Sequence, residues 1–132
     1  MSDEERLEAL IRSLMTMQLQ EAGWEVVSTM EGSDTIRAYE SALHEGHPFE
    51  MVIVDLSIPN GMGGVKTVSG LRKIHPDVKA IVSSGYSDDP AMARPAEYGF
   101  AGVLPKPYEP SHLVDLVEKV AGQRRPIAAV DP

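Results

Sequence analysis

The stretch MVIVD, residues 51–55, is a short apolar run of mostly branched side chains that ends in an acid. A run of this length without polar alternation is typical of a parallel strand that is covered on both faces of a sheet. Two further short apolar runs follow, over residues 78–83 and 101–104. The three runs predict strands of one parallel sheet, and they place Asp55 where one of those strands ends.

Amphipathic helices are predicted around and between the strands. In the first, over roughly residues 4–22, the apolar positions with helical spacing are Leu7, Leu10, Ile11, Leu14, Met15 and Leu19. That helix ends at Gly23, because glycine readily adopts the backbone conformation that closes a helix. The remaining segments are a strand over residues 24–30, a turn over 31–34 into a helix that ends near residue 46, and helices over 65–74, 91–98 and 110–121. This alternation indicates a parallel α/β sheet with helices on both faces.

The composition fits one soluble globular domain, and we expect residues 1–132 to form it. The formal net charge of −8 argues against direct binding of nucleic acid, which needs a basic face. No apolar run is long enough for a membrane span, and the acidic start differs from a signal peptide. The absence of cysteine excludes disulfides and thiolate metal sites. We therefore expect a cytoplasmic protein without membrane or nucleic-acid partners.

Three polar residues follow three of the predicted strands. Asp55 closes MVIVD, Ser84 closes AIVSS and Lys106 closes GVLPK. In open parallel sheets, functional groups collect beyond the carboxyl ends of the strands. Taken singly, each residue has an ordinary interpretation: a turn or helix cap for Asp55, a turn for Ser84, and a solvated side chain for Lys106. The three together, each after its own buried strand, indicate a functional site.

In this order, the three residues make the chain resemble the receiver domain of response regulators. The stretches DLSIPNGMGG, VKAIVSSGYSDDP and YGFAGVLPKPY look especially like the receiver attached to hybrid sensor histidine kinases. The resemblance runs from about Ile11 to Val120, and it implies a flavodoxin-like parallel sheet with the strand order 2-1-3-4-5. It also implies a two-component phosphorelay, in which a histidine kinase or a phosphotransfer domain phosphorylates Asp55 and a downstream output protein or domain responds.

The resemblance assigns a role to each site residue. Asp55 is the nucleophile, because a carboxylate can attack the phosphorus of a phosphohistidine and form an acyl phosphate. Lys106 supplies a positive charge and Ser84 a hydrogen bond to the phosphoryl oxygens. Mg²⁺ is the implied cofactor, held by Asp55 and the backbone carbonyl of Ser57. The bond between Lys106 and Pro107 corresponds to a cis peptide in the family. Slow hydrolysis of the acyl phosphate is the only enzymatic turnover that the resemblance implies.

The amino terminus departs from the family pattern. The family's first strand ends in two adjacent acids that hold Mg²⁺, but here no strand precedes the first helix. A gapless alignment places Arg6 and Leu7 at the two acid positions. Asp3, Glu4 and Glu5 lie about one helical turn earlier. They are candidate metal ligands, or they only favour the positive amino-terminal end of the first helix.

The carboxyl terminus offers a candidate for the missing strand. Without strand 1, a gap of roughly 10 Å would separate strands 2 and 3 and leave two buried rows of unpaired backbone groups. Residues 126–131 (PIAAVD) resemble the family's first strand, an apolar run closed by an acid. We expect this segment to fill the slot, either within the chain as a circular permutation or in a second copy as a swapped homodimer, with Asp131 as a metal ligand. The alternative is a frayed tail.

Two further positions bear on the function. Val103, three residues before Lys106, stands where many receivers carry an aromatic switch residue, so only the Ser84 part of the switch is expected.

Three functions are compatible with the sequence: a phosphoacceptor module, a degenerate receiver that only binds other proteins because Mg²⁺ is not held, and a hydrolase with an aspartyl-phosphate intermediate. The hydrolase is disfavoured, because Ser57 stands where such enzymes usually have a second aspartate as general acid.

Overall fold

The structure is a computed structural model, and it describes residues 2–29, 32–56, 63–85, 89–121 and 127–130, without the side chains of Glu4, Glu5, Glu8, Ala129 and Val130. Its helices are α1 (Asp3–Glu21), α2 (Gly32–His44), α3 (Gly64–Ile74), α4 (Pro90–Ala93) and α5 (Pro110–Val120), with a 3₁₀ helix over Pro95–Tyr98. Its strands are β1 (Val26–Thr29), β2 (Met51–Asp55), β3 (Ala80–Ser84), β4 (Gly102–Pro105) and β5 (Ile127–Val130). No helix in these ranges combines the length and the apolar composition that a membrane crossing needs.

The five strands form one parallel sheet in the spatial order β1-β5-β2-β3-β4. β5 lies between β1 and β2 and pairs with both, so that Ile127 is the register partner of Val26 on one side and of Met51 on the other. The strand that comes last in the chain therefore occupies the place of the family's first strand. When β5 is counted as strand 1, the order is the expected 2-1-3-4-5, and the flavodoxin-like class is confirmed.

β5 fills the central slot from within the same chain. Ile127 and Ala128 are fully buried, and the N–H of Ile127 donates to the carbonyl oxygen of Glu25 over 2.7 Å. Burial of a side chain of the size of isoleucine contributes about 1.5–3 kcal/mol. The prediction that the carboxyl-terminal segment supplies the missing strand is confirmed for Ile127–Val130. Residues 126 and 131 lie outside the described residues.

The helices cover the two faces of the sheet and build separate halves of the core. On one face, α1 and α5 pack on the strands through a cluster that includes Met15, Leu19, Met51, Ile53, Leu113, Val117 and Ile127. On the other face, α2 and α3 pack through a cluster that includes Tyr39, Val52, Val54, Val68, Leu71 and Ala128. Since α5 leads from the edge strand β4 to the central β5 on the face that α1 shares, the connection has the arrangement expected for a right-handed crossover.

Several of the predicted boundaries are wrong. The helix predicted over residues 91–98 is interrupted at Arg94 and continues as a separate 3₁₀ helix. Pro95 explains the break, because proline has no N–H with which to continue the helical hydrogen bonds. Residues 32–34, which were predicted as part of a turn, are helical, since α2 already begins at Gly32.

The segment after α1 turns sharply before β1 begins. Gly23 has a φ of 94°, and the N–H of Trp24 donates to the carbonyl oxygen of Leu19 over 2.9 Å. Trp24 is buried in the core and is not part of the strand, which begins at Val26. Gly23 therefore closes α1 as predicted, because a positive φ favours glycine.

α1 carries apolar side chains on two sides. Met15 and Leu19 are buried against the sheet, as an amphipathic helix requires. Leu7 and Leu10 are each 56% exposed, and Leu14 is 44% exposed. The periodicity thus predicts the helix correctly, but only some of its apolar positions face the core.

α3 approaches β2 closely at Gly64. A Cβ atom at Gly64 would lie 2.2 Å from Cγ1 of Val54 and 2.5 Å from Cδ2 of Leu56. These contacts are too short for any side chain, so the position requires glycine for packing. The run of glycines after Asp55 indicates only a permissive loop in the sequence, and the structure assigns Gly64 a more specific role.

Removing residues 123–132 should abolish cooperative folding, because β1 and β2 would each lose the pairing that β5 provides. We expect the truncated chain to aggregate and to show no thermal transition by circular dichroism. A synthetic peptide of residues 123–132 should restore the transition when it is added in excess. A truncated chain that melts at the temperature of the full chain would contradict the central role of β5.

Gly64→Ala should lower the free energy of unfolding by about 1–3 kcal/mol, as other overpacking substitutions do. Gly85→Ala is the matched control, because a Cβ atom there meets no atom within 4 Å. Denaturant titrations of both variants should show a loss only for Gly64→Ala. Equal losses would show that the contact with Val54 is not the cause.

Candidate functional site

Asp55, Ser84 and Lys106 lie at one edge of the sheet. Asp55 is the last residue of β2, Ser84 is the last residue of β3, and Lys106 directly follows β4. The three strands are parallel neighbours, so their carboxyl ends lie side by side. The Nζ atom of Lys106 lies 2.5 Å from Oδ2 of Asp55 and donates a hydrogen bond to it. This edge therefore brings together an acid, a hydroxyl and a cation.

Backbone hydrogen bonds extend the sheet beyond the ends of these strands. The N–H of Leu56 donates to the carbonyl oxygen of Ser83 over 2.9 Å. The N–H of Lys106 donates to the carbonyl oxygen of Ser84 over 3.0 Å. The peptide bond between Lys106 and Pro107 is cis, as the resemblance implies. The residues that follow β2 and β4 are therefore both fixed against β3.

The ion pair of Asp55 and Lys106 is largely removed from water. The side chain of Asp55 is 7% exposed, and that of Lys106 is 10% exposed. Opposite charges attract more strongly away from water, while either charge alone would be costly to bury. The arrangement suits a reaction in which Asp55 receives a further anionic group, because a cation is already fixed beside it.

Two adjacent serines end β3 in different surroundings. Ser83 is fully buried, and its Oγ donates to the carbonyl oxygen of Leu104 over 2.8 Å. Ser84 is 1% exposed and, as the next residue of the strand, directs its side chain to the opposite face. The strand end thus offers a structural hydroxyl and a candidate functional hydroxyl at neighbouring positions.

The candidate metal ligands are only partly covered by the described residues. Ser57 and Asp131 lie outside them, as do the side chains of Glu4 and Glu5. Asp3 is described, and it is exposed at the first residue of α1. Among the side chains that the structure describes, no three from His, Asp or Glu are grouped so that they could hold a metal ion.

β5 ends at the same edge of the sheet as β2. Val130, the last residue of β5, is the register partner of Val54, which directly precedes Asp55. The two strands are parallel, so Val54 and Val130 lie at the same edge of the sheet. β5 therefore ends at the edge of the sheet where Asp55 lies.

Val103 lies within β4, where it is the register partner of Val82. Its partly buried side chain packs against the cluster under α2 and α3. A valine at this position has no aromatic ring to move between exposed and buried positions, so any switch in this molecule has to act through other residues.

A groove of about 410 Å³ opens beside Lys106, and the sequence analysis missed it. It is lined by Ile11, Leu14, Gln18, Gly85, Lys106, Pro107 and Tyr108. The first three belong to α1, and the others belong to the segments that follow β3 and β4. The apolar positions of α1, among them Ile11 and Leu14, were recognised in the sequence, but their spacing could not show that one side of this helix borders the site.

Comparison with known proteins places these observations in one family. The sequence pattern of the response regulator receiver domain matches residues 7–118. The sensor kinase CckA of Brucella abortus (strain 2308) is 36% identical over 104 residues, which cover 77% of this chain and 10% of that kinase. The DNA-binding transcriptional regulator NtrC of Azospirillum brasilense is 30% identical over 120 residues, which cover 91% of this chain and 24% of that regulator. The chain therefore spans a small part of these relatives.

Solved structures give the same fold. The receiver domain of the sensor histidine kinase PA1611 from Pseudomonas aeruginosa PAO1, crystallised with a magnesium ion coordinated in its active site cleft, superposes with a TM-score of 0.73. The two sequences are 15% identical, and the match covers 87% of this chain and 91% of that chain. At this level of identity, the likeness establishes the fold.

Proposed function

Because the chain belongs to the response regulator receiver domain family of two-component signalling, we propose that Asp55 accepts a phosphoryl group from a phosphohistidine. The observation that carries this proposal is the buried contact between Lys106 and Asp55, 2.5 Å from Nζ to Oδ2, at the carboxyl edge of the sheet. A carboxylate held there is a nucleophile with a fixed cation beside it. We further propose that residues 1–132 act as a single receiver domain.

In the proposed transfer, an oxygen of Asp55 forms a bond to phosphorus while the bond from phosphorus to the imidazole nitrogen of the donor breaks. Lys106 and the hydroxyl of Ser84 then stabilise the negative charge on the phosphoryl oxygens. Lys106 keeps an anionic partner throughout, because the charge of the carboxylate is replaced by that of the phosphoryl group. Slow attack by water on the acyl phosphate releases inorganic phosphate and returns Asp55 to the free carboxylate.

The partners follow from this chemistry. The donor is a histidine kinase or a phosphotransfer domain, since either carries the phosphohistidine. The downstream partner is an output protein or domain that distinguishes the phosphorylated state of this chain from the unphosphorylated state. A hydrogen bond from Ser84 to the phosphoryl group would bias the segment that follows β3, which begins at Gly85, between two arrangements. With Val103 in β4, this response proceeds without an aromatic switch.

Mg²⁺ fits the proposed site by the chemistry of the available ligands. The ion prefers carboxylate and carbonyl oxygens, and when bound it supplies positive charge to the phosphoryl oxygens. Asp55 provides one carboxylate, and we propose the backbone carbonyl of Ser57 and the carboxylate of Asp131 as further ligands. The register of β5 supports Asp131, because Val130 pairs with Val54 one residue before Asp55.

A degenerate receiver that binds partners without phosphorylation is the second candidate. The gapless alignment favours it, because that alignment puts Arg6 and Leu7 at the positions of the family's two acids, although both residues lie within α1 and not at the end of a strand. Asp3 and Glu4 are the alternative candidate ligands to Asp131, and Asp3 is exposed. Phosphorylation with and without Mg²⁺ separates the two functions.

Asp55→Asn should abolish labelling by acetyl phosphate with Mg²⁺, because the amide cannot form the acyl phosphate. Glu50→Gln is the matched control, since Glu50 is a buried acid just before the other end of β2, paired with Lys79 at 2.9 Å. Mass spectrometry of the intact protein should show one added phosphoryl group in the wild type and in Glu50→Gln, and none in Asp55→Asn. Undiminished labelling of Asp55→Asn would assign the acceptor to another residue, and an unlabelled wild type would favour the degenerate receiver.

Ser84→Ala and Ser83→Ala should separate function from stability at neighbouring positions. Ser84→Ala should slow phosphorylation by roughly 10- to 100-fold, because one donor to the phosphoryl group is lost. Ser83→Ala should leave that rate unchanged and lower the free energy of unfolding by about 1–3 kcal/mol, because the buried carbonyl of Leu104 loses its hydrogen bond. Labelling kinetics and denaturant titrations check both effects. The reverse pattern would exchange the two roles.

Mg²⁺ should raise the melting temperature of the wild type, because an ion that binds the folded state stabilises it. Asp131→Asn should remove most of this increase, while Asp3→Asn, an acid-to-amide change at the other end of the chain, should preserve it. Thermal scans with and without about 10 mM Mg²⁺, a concentration in the range of weak oxygen-ligand sites, make the comparison. An increase that survives Asp131→Asn but not Asp3→Asn would move the metal ligands to α1.

A further inference from the structure

An apolar stripe on α1 faces away from the sheet. Its members are Leu7, Leu10, Leu14 and Met17, with exposed fractions of 56%, 56%, 44% and 51%. We name these four side chains the α1 seam. They make up most of the large exposed hydrophobic residues in the described part of the chain. Exposed apolar patches of this kind mark interaction surfaces in soluble proteins.

The α1 seam has the spacing of a helix-packing surface. Its members follow one another at intervals of three, four and three residues, which is the a and d pattern of two-stranded coiled coils. Met15 and Leu19, which pack on the sheet, lie on a different side of the helix. The seam is therefore additional to the face that the fold requires. A helix with a second apolar side offers a surface on which another helix can pack.

We propose that the α1 seam packs against the α1 seam of a second copy of the chain, with the two helices antiparallel. The distribution of charge along α1 selects this partner orientation. Residues 3–8 hold four acids and one base, whereas residues 13–20 hold no charged residue. A parallel pair would bring the two acidic ends together, but an antiparallel pair places each acidic end beside the uncharged half of the other helix.

The antiparallel arrangement also matches the side chains along the seam. With the symmetry axis near residue 12, Leu10 of one copy faces Leu14 of the other, and Leu7 faces Met17. Beside the axis lies Ser13, a small exposed residue that allows the helices to approach. Each of these contacts occurs twice, as a two-fold interface requires.

The size of the seam predicts a weak dimer. α1 has 19 residues and is about 28 Å long, and its four seam side chains are each about half exposed. A standard stable interface buries about 800 Å² on each partner, which is more than four half-exposed side chains and their neighbours on one helix provide. Each copy carries a net charge of −8, so the copies repel one another. We therefore expect a dimer that forms at micromolar or higher concentration and strengthens with added salt.

The oligomeric state tests the interface. Sedimentation of the full chain over roughly 1 µM to 1 mM, the range that a weak interface requires, should show a rise from monomer toward dimer mass. Leu10→Glu and Leu14→Glu should each shift the dissociation constant by 10-fold or more. Val65→Glu, the same change at an exposed apolar position of α3, should leave it unchanged. A wild type that stays monomeric at 1 mM and high salt overturns the proposal, as does a dimer that both seam variants preserve.

Cross-linking tests the orientation independently of these variants. The chain has no cysteine, so single replacements report only their own position. Ser13 and Gln20 are both exposed and lie on the same flank of the seam. In the antiparallel pair the two copies of residue 13 are about 3 Å apart, measured along the helix axis. The two copies of residue 20 are about 24 Å apart in the same direction.

Ser13→Cys should therefore form a disulfide-linked dimer under mild oxidation, and Gln20→Cys should not. Cross-linking of both variants to the same extent would contradict the antiparallel register and would overturn the proposed orientation. Cross-linking of neither would overturn the interface. A seam that binds the phosphodonor protein while the chain itself stays monomeric would assign the surface to that partner and would also overturn the proposal.

Discussion

The central slot of the sheet is the constraint on which the rest of the structure depends. β1 and β2 lie on either side of it, and each needs a strand to receive its backbone hydrogen bonds. Water cannot satisfy these groups, because helices cover both faces of the sheet. β5 meets both demands at once through its pairing with Val26–Thr29 and with Met51–Val54. The position of β2, and with it that of Asp55, follows from this pairing.

The unusual position of β5 affects the two halves of the site differently. Asp55, Ser84 and Lys106 come from β2, β3 and β4, which follow one another along the chain and pair as in the rest of the family. Their arrangement does not depend on which end of the chain supplies the central strand. The metal ligands are different, because the family takes its acid pair from the first strand. Here the carboxyl-terminal strand has that place, so the proposed ligand Asp131 comes from the far end of the sequence.

The sequence predicts most of the fold because its signals are local. Continuous apolar runs identify the buried strands, and the residue types that follow them identify the edge where Asp55 and Lys106 meet. The features that it does not predict depend on which surfaces touch. Periodicity cannot tell which apolar side of α1 faces the sheet, and a run of glycines does not reveal that only Gly64 lies against Val54. The break at Pro95 was readable from the sequence, since proline cannot continue a helix, and its significance was missed.

The order of synthesis gives the position of β5 a further meaning. A ribosome releases a protein from its amino terminus, so β5 emerges after all other strands of this sheet. Until Ile127–Val130 leave the exit tunnel, β1 has no partner strand, and the apolar surfaces around the slot are open to chaperones or to other nascent chains. Folding must also bring together residues from opposite ends of the domain, which slows the final step. The domain therefore completes its sheet only after its last strand has been made, whereas a sheet whose central strand comes first can assemble during synthesis.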